Sequence, residues 1–421
     1  MAYTRREFGR LALAGLPAAA VLGHNESIFG ALAPAPAAEA LAGFGGASAQ
    51  AKPNSVINGV QIGTITYSYR SMPDQSAEAT LKYILESGIS GIELMGGPVE
   101  SFAGAPSSGR GGGAGRGAAA GGRGPGGAPA AAAAGAAAAS EVGTPPPGSW
   151  NGQPCPAGRG GGGGRAAAAA AGGGAVPGAA ATQGTQPGPG RGEATPEQQE
   201  QANALKAWRT SVSMEPFKKL RKMYNDAGVT IYAWKQLSTN MSDEEFEYVF
   251  NVAEALGCTH TTLELPTDAA QLKRIGDFAM KKKIYAAYHT HLQGSMTAFD
   301  QAFAVSKGNK ANIDFGHYVA AGNVGGTPMQ FLEKYHDRIA SLHLKDRTRP
   351  EHCALNLAWG TGETPIKEIL QLVSKNKWKI PASIELEYTV PEGSDAVKEV
   401  RKCVEYCRTA LTGAASTAAS R

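Results

Sequence analysis

The run "NIDFGH", residues 312–317, closes an apolar stretch with Asp314 and places His317 three residues further on. Comparable groups recur along the second half of the chain. "YHTH" holds His289 and His291, "LHLKDR" holds His343, Lys345 and Asp346, and "IELEY" holds Glu385 and Glu387. Upstream, Glu93 lies in "GIELMG", Trp234 and Lys235 close "VTIYAWK", and Glu264 lies in "THTTLEL". A single such residue at a strand end is ordinarily salt-bridged or solvated. Several converging on one point are costly unless a cation pairs with them. Two or three carboxylates with one or two imidazoles form a mixed oxygen and nitrogen set for Mn²⁺, Co²⁺, Fe²⁺ or Zn²⁺. Asp314 is therefore expected to be one ligand of a divalent metal.

Convergence requires a scaffold, and the chain alternates strand and helix patterns from residue 58 onward. Short apolar runs at 60–67, 91–96, 229–235, 259–265, 284–291, 311–317, 339–346 and 382–388 read as strands buried on both faces. Amphipathic segments separate them, and Ser242 with Glu245 forms a capping-box signature before one of these. Eight strand–helix units predict an α/β fold, a closed (β/α)₈ TIM barrel, whose site lies at the C-terminal ends of the strands. An open doubly wound sheet is disfavoured, since no glycine-rich phosphate fingerprint follows the first strand. Side chains alternate along a strand, so His343 and Lys345 share a face, as do Glu385 and Glu387.

The segments "NIDFGHYVAAGN", "LHLKDR", "WGTGETPIKEIL" and "IPASIELEY" resemble exported sugar phosphate isomerase/epimerase-like proteins of the xylose isomerase-like TIM-barrel superfamily (AP endonuclease family 2). The resemblance spans about residues 58–412 apart from an insertion, and is most specific over 339–388. It implies one divalent metal ion (Mn²⁺, Co²⁺, Zn²⁺ or Mg²⁺) held by Asp314, His343 and Glu385. The strand-five carboxylate of many relatives is replaced here by His289, which leaves His289 or Glu264 as the fourth ligand. His317 matches a position that contacts substrate.

A metal that chelates a sugar carbonyl and the adjacent hydroxyl acidifies the C–H between them and stabilises an enediolate. Glu385 is then the candidate ligand and base, with Glu264, Glu387 or Glu93 as partner acid. Lys235, Lys345 and His317 are candidates to hold hydroxyls or a developing oxyanion. Glu93, Lys235, His291, Trp359 and Glu387 are the expected substrate contacts, and Trp234 or Trp359 could stack on a sugar face. The chemistry expected is a metal-dependent sugar isomerase or epimerase acting on a keto-sugar or sugar derivative. A lyase acting on a 3-keto-glycoside is the runner-up, followed by a non-catalytic sugar-binding barrel. An abasic-site nuclease fits least, because strands two and three end in Glu93 and Lys235 where further imidazole ligands are needed.

Composition bounds the rest. The formal net charge of +4 over 421 residues is too mild to argue for nucleic acid. The expected partner is a small sugar, with homo-oligomer formation open. Five cysteines show no metal-binding spacing, and their odd number implies no full disulfide framework. Residues 102–195 are rich in Gly, Ala and Pro and read as a disordered insertion after strand two, dividing the barrel into 58–101 and 196–412. Residues 413–421 read as a disordered tail. Residues 1–50 read as a signal and linker: Arg5 and Arg6, with Phe8 and Leu11, resemble a twin-arginine export signal, which predicts a periplasmic or secreted protein. The apolar run that follows is too short and too rich in Ala and Gly for a stable membrane span. Replacing Arg5 and Arg6 by Lys should leave the protein in the cytoplasm; cell fractionation showing unchanged export would contradict the signal.

Overall fold

Strands buried on both faces leave no edge free for water, and closing the sheet removes the edges altogether. The computed structural model, which describes residues 52–106, 148–155 and 195–413, shows that closure. The strands are β1 (Val60–Ile65), β2 (Gly91–Met95), β3 (Thr230–Lys235), β4 (His260–Glu264), β5 (Tyr285–His289), β6 (Asn309–Asp314), β7 (Ile339–Leu344) and β8 (Ala382–Ile384). Each pairs in parallel with the next, and β8 pairs with β1. The protein is the (β/α)₈ barrel the sequence predicts. A two-residue strand, Val56–Ile57, pairs antiparallel with the start of β1.

The outer layer contains α1 (Ala77–Glu86), α2 (Gly96–Phe102), α3 (Pro196–Ser211), α4 (Glu215–Asp226), α5 (Asp243–Leu256), α6 (Ala269–Lys282), α7 (Asp300–Val305), α8 (Phe315–Ala320), α9 (Pro328–Tyr335), α10 (Ile366–Lys375) and α11 (Ala396–Thr412). Local sequence starts and stops them. Ser76 accepts a hydrogen bond from the Ala79 N–H at 3.2 Å, and Asp395 accepts one from Lys398 at 2.8 Å. At α5, Glu245 accepts from the Ser242 N–H at 3.1 Å, as its signature predicts, and Gly257 closes the helix at φ +78°. Their apolar stripes pack Phe217, Leu220, Phe246, Val249, Ile369 and Val400 against the strands, all fully buried. No helix among the described residues is long and apolar enough to cross a membrane.

Two features depart from the sequence expectation. Within 102–195, residues 148–155 form a hairpin: Ser149–Trp150 pairs with Gln153–Pro154 around Asn151 and Gly152, both at positive φ. Cys155 of this hairpin is disulfide-bonded to Cys353, and the Trp150 ring lies 5.5 Å from that of His352. The expected disordered segment is thus ordered at 148–155, and the odd cysteine count concealed one cross-link. Residues 107–147 and 156–194 of the segment, the export signal and residues 414–421 lie outside the described residues.

The second feature is a clasp between α2 and α3, which flank the Gly/Ala-rich stretch. Arg209 of α3 bonds both oxygens of Glu100 at 2.8 and 3.1 Å and reaches Glu245 of α5 at 3.4 Å. Tyr248 donates to Glu100 at 3.0 Å. No residue of α3 is fully buried, and it docks through this pairing together with Trp208, which lies edge-on to Tyr248. Arg209→Leu should cost roughly 2–3 kcal/mol in urea denaturation, because Glu100 would keep its partly buried charge without a cation. An unchanged midpoint would show that α3 is held by other contacts.

Candidate active site

The parallel register stacks polar side chains along the barrel axis. Nearest the N-terminal end, His260 Nε2 lies 3.0 Å from Ser341 Oγ, and its ring stacks on Tyr232 with centroids 6.1 Å apart. Above it, Asn312 Nδ2 donates to Ser341 Oγ and to Glu93 Oε2, both at 2.9 Å. The Thr262 hydroxyl donates to Glu93 Oε1 at 2.6 Å. At the C-terminal ends, His289, Asp314, His343 and Glu385 are all buried, and one ligand atom from each lies within 4.8 Å of the others.

Electrostatics tie these layers together. Burial opposes charge on Glu93, but His343 and Lys235, with the Thr262 hydrogen bond, hold its acidity near about 2. Burial likewise opposes an imidazolium at His343, yet Glu93 and Glu385 outweigh it and raise the ring to about 10. His343 bridges the two carboxylates, with Nε2 2.7 Å from Glu93 and Nδ1 2.9 Å from Glu385. Glu385 stays ionised despite burial because Lys345 and His343 hold it well below the carboxylate range. His289 is kept neutral by burial, reinforced by Lys235 and His343.

Asp314 explains the "NIDFGH" run. Its Oδ1 accepts the His317 N–H at 2.7 Å and so caps α8, the helix that carries His317. Its Oδ2 is buried and has no aligned hydrogen-bond donor, although Lys345 Nζ lies 3.0 Å away. Burial raises Asp314 to about 7 against the pull of Lys345. Gly316 is required between them: a Cβ there would lie 2.2 Å from Lys345 Cγ and 2.7 Å from the Lys345 carbonyl oxygen.

A more open layer covers the cluster. Lys345 Nζ contacts Glu387 at 2.7 Å, Glu385 at 3.0 Å and His317 Nε2 at 3.0 Å. Lys235 Nζ contacts Glu264 at 2.8 Å, and exposed His291 lies 3.4 Å from the same carboxylate. The rings of His291 and His317 are 4.8 Å apart. The rim loop after β7 is organised by Asp346, whose carboxylate accepts N–H bonds from Gly360, Thr361, Gly362 and Thr364 at 2.8–3.1 Å. A Cβ at Gly362 would lie 2.3 Å from Asp346 Oδ1, which accounts for glycine in "WGTGETP".

Most residues named from sequence thus meet at one mouth: Lys235, Glu264, His289, His291, Asp314, His317, His343, Lys345, Glu385 and Glu387. Two need correction. Glu93, expected against substrate, is fully buried behind His343, where it orients the imidazole. Trp234 is fully buried, edge-on to Tyr248, so its ring is closed to a sugar; Trp359 is half-buried, with one edge against Tyr406 of α11. Thr262, Asn312, Ser341 and Arg347 were not singled out. Their signal was a polar residue two positions from a named one in the same strand or its extension.

The set fits a divalent cation. Two carboxylates and two imidazoles supply borderline donors, Asp314 Oδ2 is left without a hydrogen bond, and His343 is braced from behind by Glu93. Glu264 faces Lys235 and His291 instead, which leaves His289 as the fourth member of the cluster.

No family model and no curated protein matches the chain. Solved structures do. A sugar phosphate isomerase/epimerase from Parabacteroides distasonis is 13% identical over 87% of this chain and 98% of that one, with a TM-score of 0.47. The probable 3-DHS dehydratase AsbF from Bacillus anthracis is 12% identical over 82% and 97%, with a TM-score of 0.45. The 3-keto-D-glucoside 4-epimerase YcjR from E. coli is 10% identical over 47% and 85%, with a TM-score of 0.37.

Metal content of purified variants tests the assignment. Asp314→Ala and His289→Ala should each lower bound Mn²⁺ to near background, whereas Glu264→Ala should retain it. Retention by His289→Ala together with loss by Glu264→Ala would reverse the choice of fourth ligand.

Proposed function

We propose that the protein is a divalent-metal-dependent sugar isomerase or epimerase, acting through an enediolate on a keto-sugar or sugar derivative. The observation that carries this reading is the buried cluster of His289, Asp314, His343 and Glu385, set between carboxylates on opposite sides of the barrel mouth. Glu264 ends β4 and Glu385 follows β8, and in a closed ring of eight strands these positions are diametrically opposed. A divalent cation held by the cluster would polarise a sugar carbonyl and its neighbouring hydroxyl, acidifying the C–H between them. The chain's own groups supply the proton transfers. Glu385 is held unprotonated and takes a proton from one face. Glu264, kept in place by Lys235, returns one from the other. His317 and the Lys345 ammonium lie where they can hold substrate oxygens, and the buried lower layer keeps bulk water from the axis. Elimination from a 3-keto-glycoside begins with the same proton removal, so product analysis separates it from isomerisation.

Export to the periplasm or beyond belongs to the same proposal. It is supported by the Arg5–Arg6 signal and by the Cys155–Cys353 disulfide, a bond at home in an oxidising compartment.

The test is deuterium incorporation from D₂O, followed by NMR over a panel of keto-sugars with metal-loaded protein. At least one sugar should exchange a C–H adjacent to its carbonyl. Glu385→Gln should slow that exchange by at least about 100-fold while retaining more metal than Asp314→Ala. Full activity in Glu385→Gln would remove Glu385 as the base.

A further inference from the structure

The 148–155 hairpin meets the barrel at one turn of the rim loop after β7. No residue of 148–155 is buried, and neither is any of 349–355 in that turn. Gly148 lies flat against the turn, where a Cβ would come 2.3 Å from the Glu351 carbonyl oxygen, and the Trp150 ring rests beside His352. Among the described residues no hydrogen bond joins hairpin and turn, so the Cys155–Cys353 bond is the main tie between them.

The turn is held in a conformation that side chains disfavour. Cys353 and Ala354 are consecutive non-glycine residues at φ +74° and +48°. Thr348 supports them locally: its hydroxyl donates to the His352 carbonyl at 2.6 Å and accepts the Leu355 N–H at 2.7 Å. The conformation reaches the mouth because the Ala354 carbonyl accepts Arg347 Nη2 at 2.5 Å, and Arg347 Nη1 lies 2.6 Å from His317 Nδ1. A disulfide, two residues at positive φ, a carbonyl and a guanidinium thus form one line from the hairpin to His317.

The bond is also placed where it can be reached. Cys155 and Cys353 are half-buried, whereas the thiols Cys258, Cys403 and Cys407 are buried. An accessible disulfide is the kind that external thiols reduce, and enclosed thiols neither attack it nor reshuffle with it.

We propose that the Cys155–Cys353 bond is a redox latch on the mouth. Closed, it holds the turn that seats Arg347; opened by a dithiol, it releases the hairpin and loosens that seat. One thiolate of the dithiol attacks a sulfur of the bond, giving a mixed disulfide and one cysteine thiol. The second thiolate then displaces the other cysteine. The dithiol ends as a cyclic disulfide, and the two cysteines have taken up its two electrons and two protons. With export to an oxidising compartment, the chain reaches full turnover only after leaving the cytoplasm. The activity part of this inference rests on the sugar isomerase reading, whereas the hold on the turn does not.

Amide hydrogen exchange read by mass spectrometry tests it on the full-length protein, before and after dithiothreitol, which is removed by gel filtration before metal is added. After reduction the amides of 348–355 should exchange at least about 10-fold faster, while those of β1–β8 stay unchanged. With a sugar that exchanges deuterium, reduction should lower kcat roughly 3–10-fold, with a smaller change in KM, because the groups that hold substrate are displaced rather than removed. Reoxidation should restore both readouts. Cys155→Ser should match the reduced wild type and ignore dithiothreitol. Unchanged amide exchange at 348–355, full kcat in the reduced protein, or a loss that reoxidation does not reverse would overturn the proposal. Failure of the oxidised wild type to exchange any sugar would count against the isomerase reading, leaving amide exchange to decide whether the bond holds the turn.

Discussion

The Glu93 carboxylate is fully buried on the barrel axis, and a charge in that position needs a cation it can touch. His343 provides it. Because Nε2 of His343 is committed to Glu93, Nδ1 is turned toward Glu385 and the mouth. Thr262 and Asn312 fix the other lone pairs of Glu93, and Ser341 and His260 fix Asn312 in turn. The interior is thus a braced polar column that sets the angle of one imidazole. Lys345 then balances Asp314, Glu385 and Glu387 together. What remains is Asp314 Oδ2, buried and without a hydrogen bond, at the point where two imidazoles and a second carboxylate converge.

The rim is built with equal economy of conformations. Asp314 uses one oxygen to start α8 and leaves the other for the cluster. Gly316 lets that helix lie against Lys345, and Asp346 gathers four N–H groups to shape the loop after β7. Arg347 and Cys353 belong to this same loop, so the disulfide from Cys155 anchors the 148–155 hairpin beside the residue that contacts His317. A site whose ligands sit on strand ends and whose rim is stapled in this way has few rotamers to lose on binding.

The barrel was readable from the alternation of apolar and amphipathic runs, because both faces of each strand are covered and the period is unambiguous. The clustering of Asp314, His343, Glu385 and His289 was readable because charges at successive ends of barrel strands must converge on one axis. The role of Glu93 was not: nothing in "GIELMG" distinguishes a carboxylate that touches substrate from one that braces an imidazole. That difference depends on depth in the barrel, set by register with β1 and β3. Trp234 misled for the same reason, since a strand-end indole can face the axis or the helices. The Cys155–Cys353 bond joins positions 198 residues apart and leaves no local pattern. Arg347 was hidden in "LHLKDR" behind its more conspicuous neighbours, and its contact with His317 appears only in the folded barrel.

The most direct measurement is the anomalous scattering of crystals grown with Mn²⁺, recorded near the manganese edge. The account predicts a single strong peak bounded by His289, Asp314, His343 and Glu385, with His343 ligating through Nδ1 while Nε2 remains on Glu93. A peak bounded instead by His289, His291 and His317, or bound manganese that leaves the four-residue cluster empty, would contradict it.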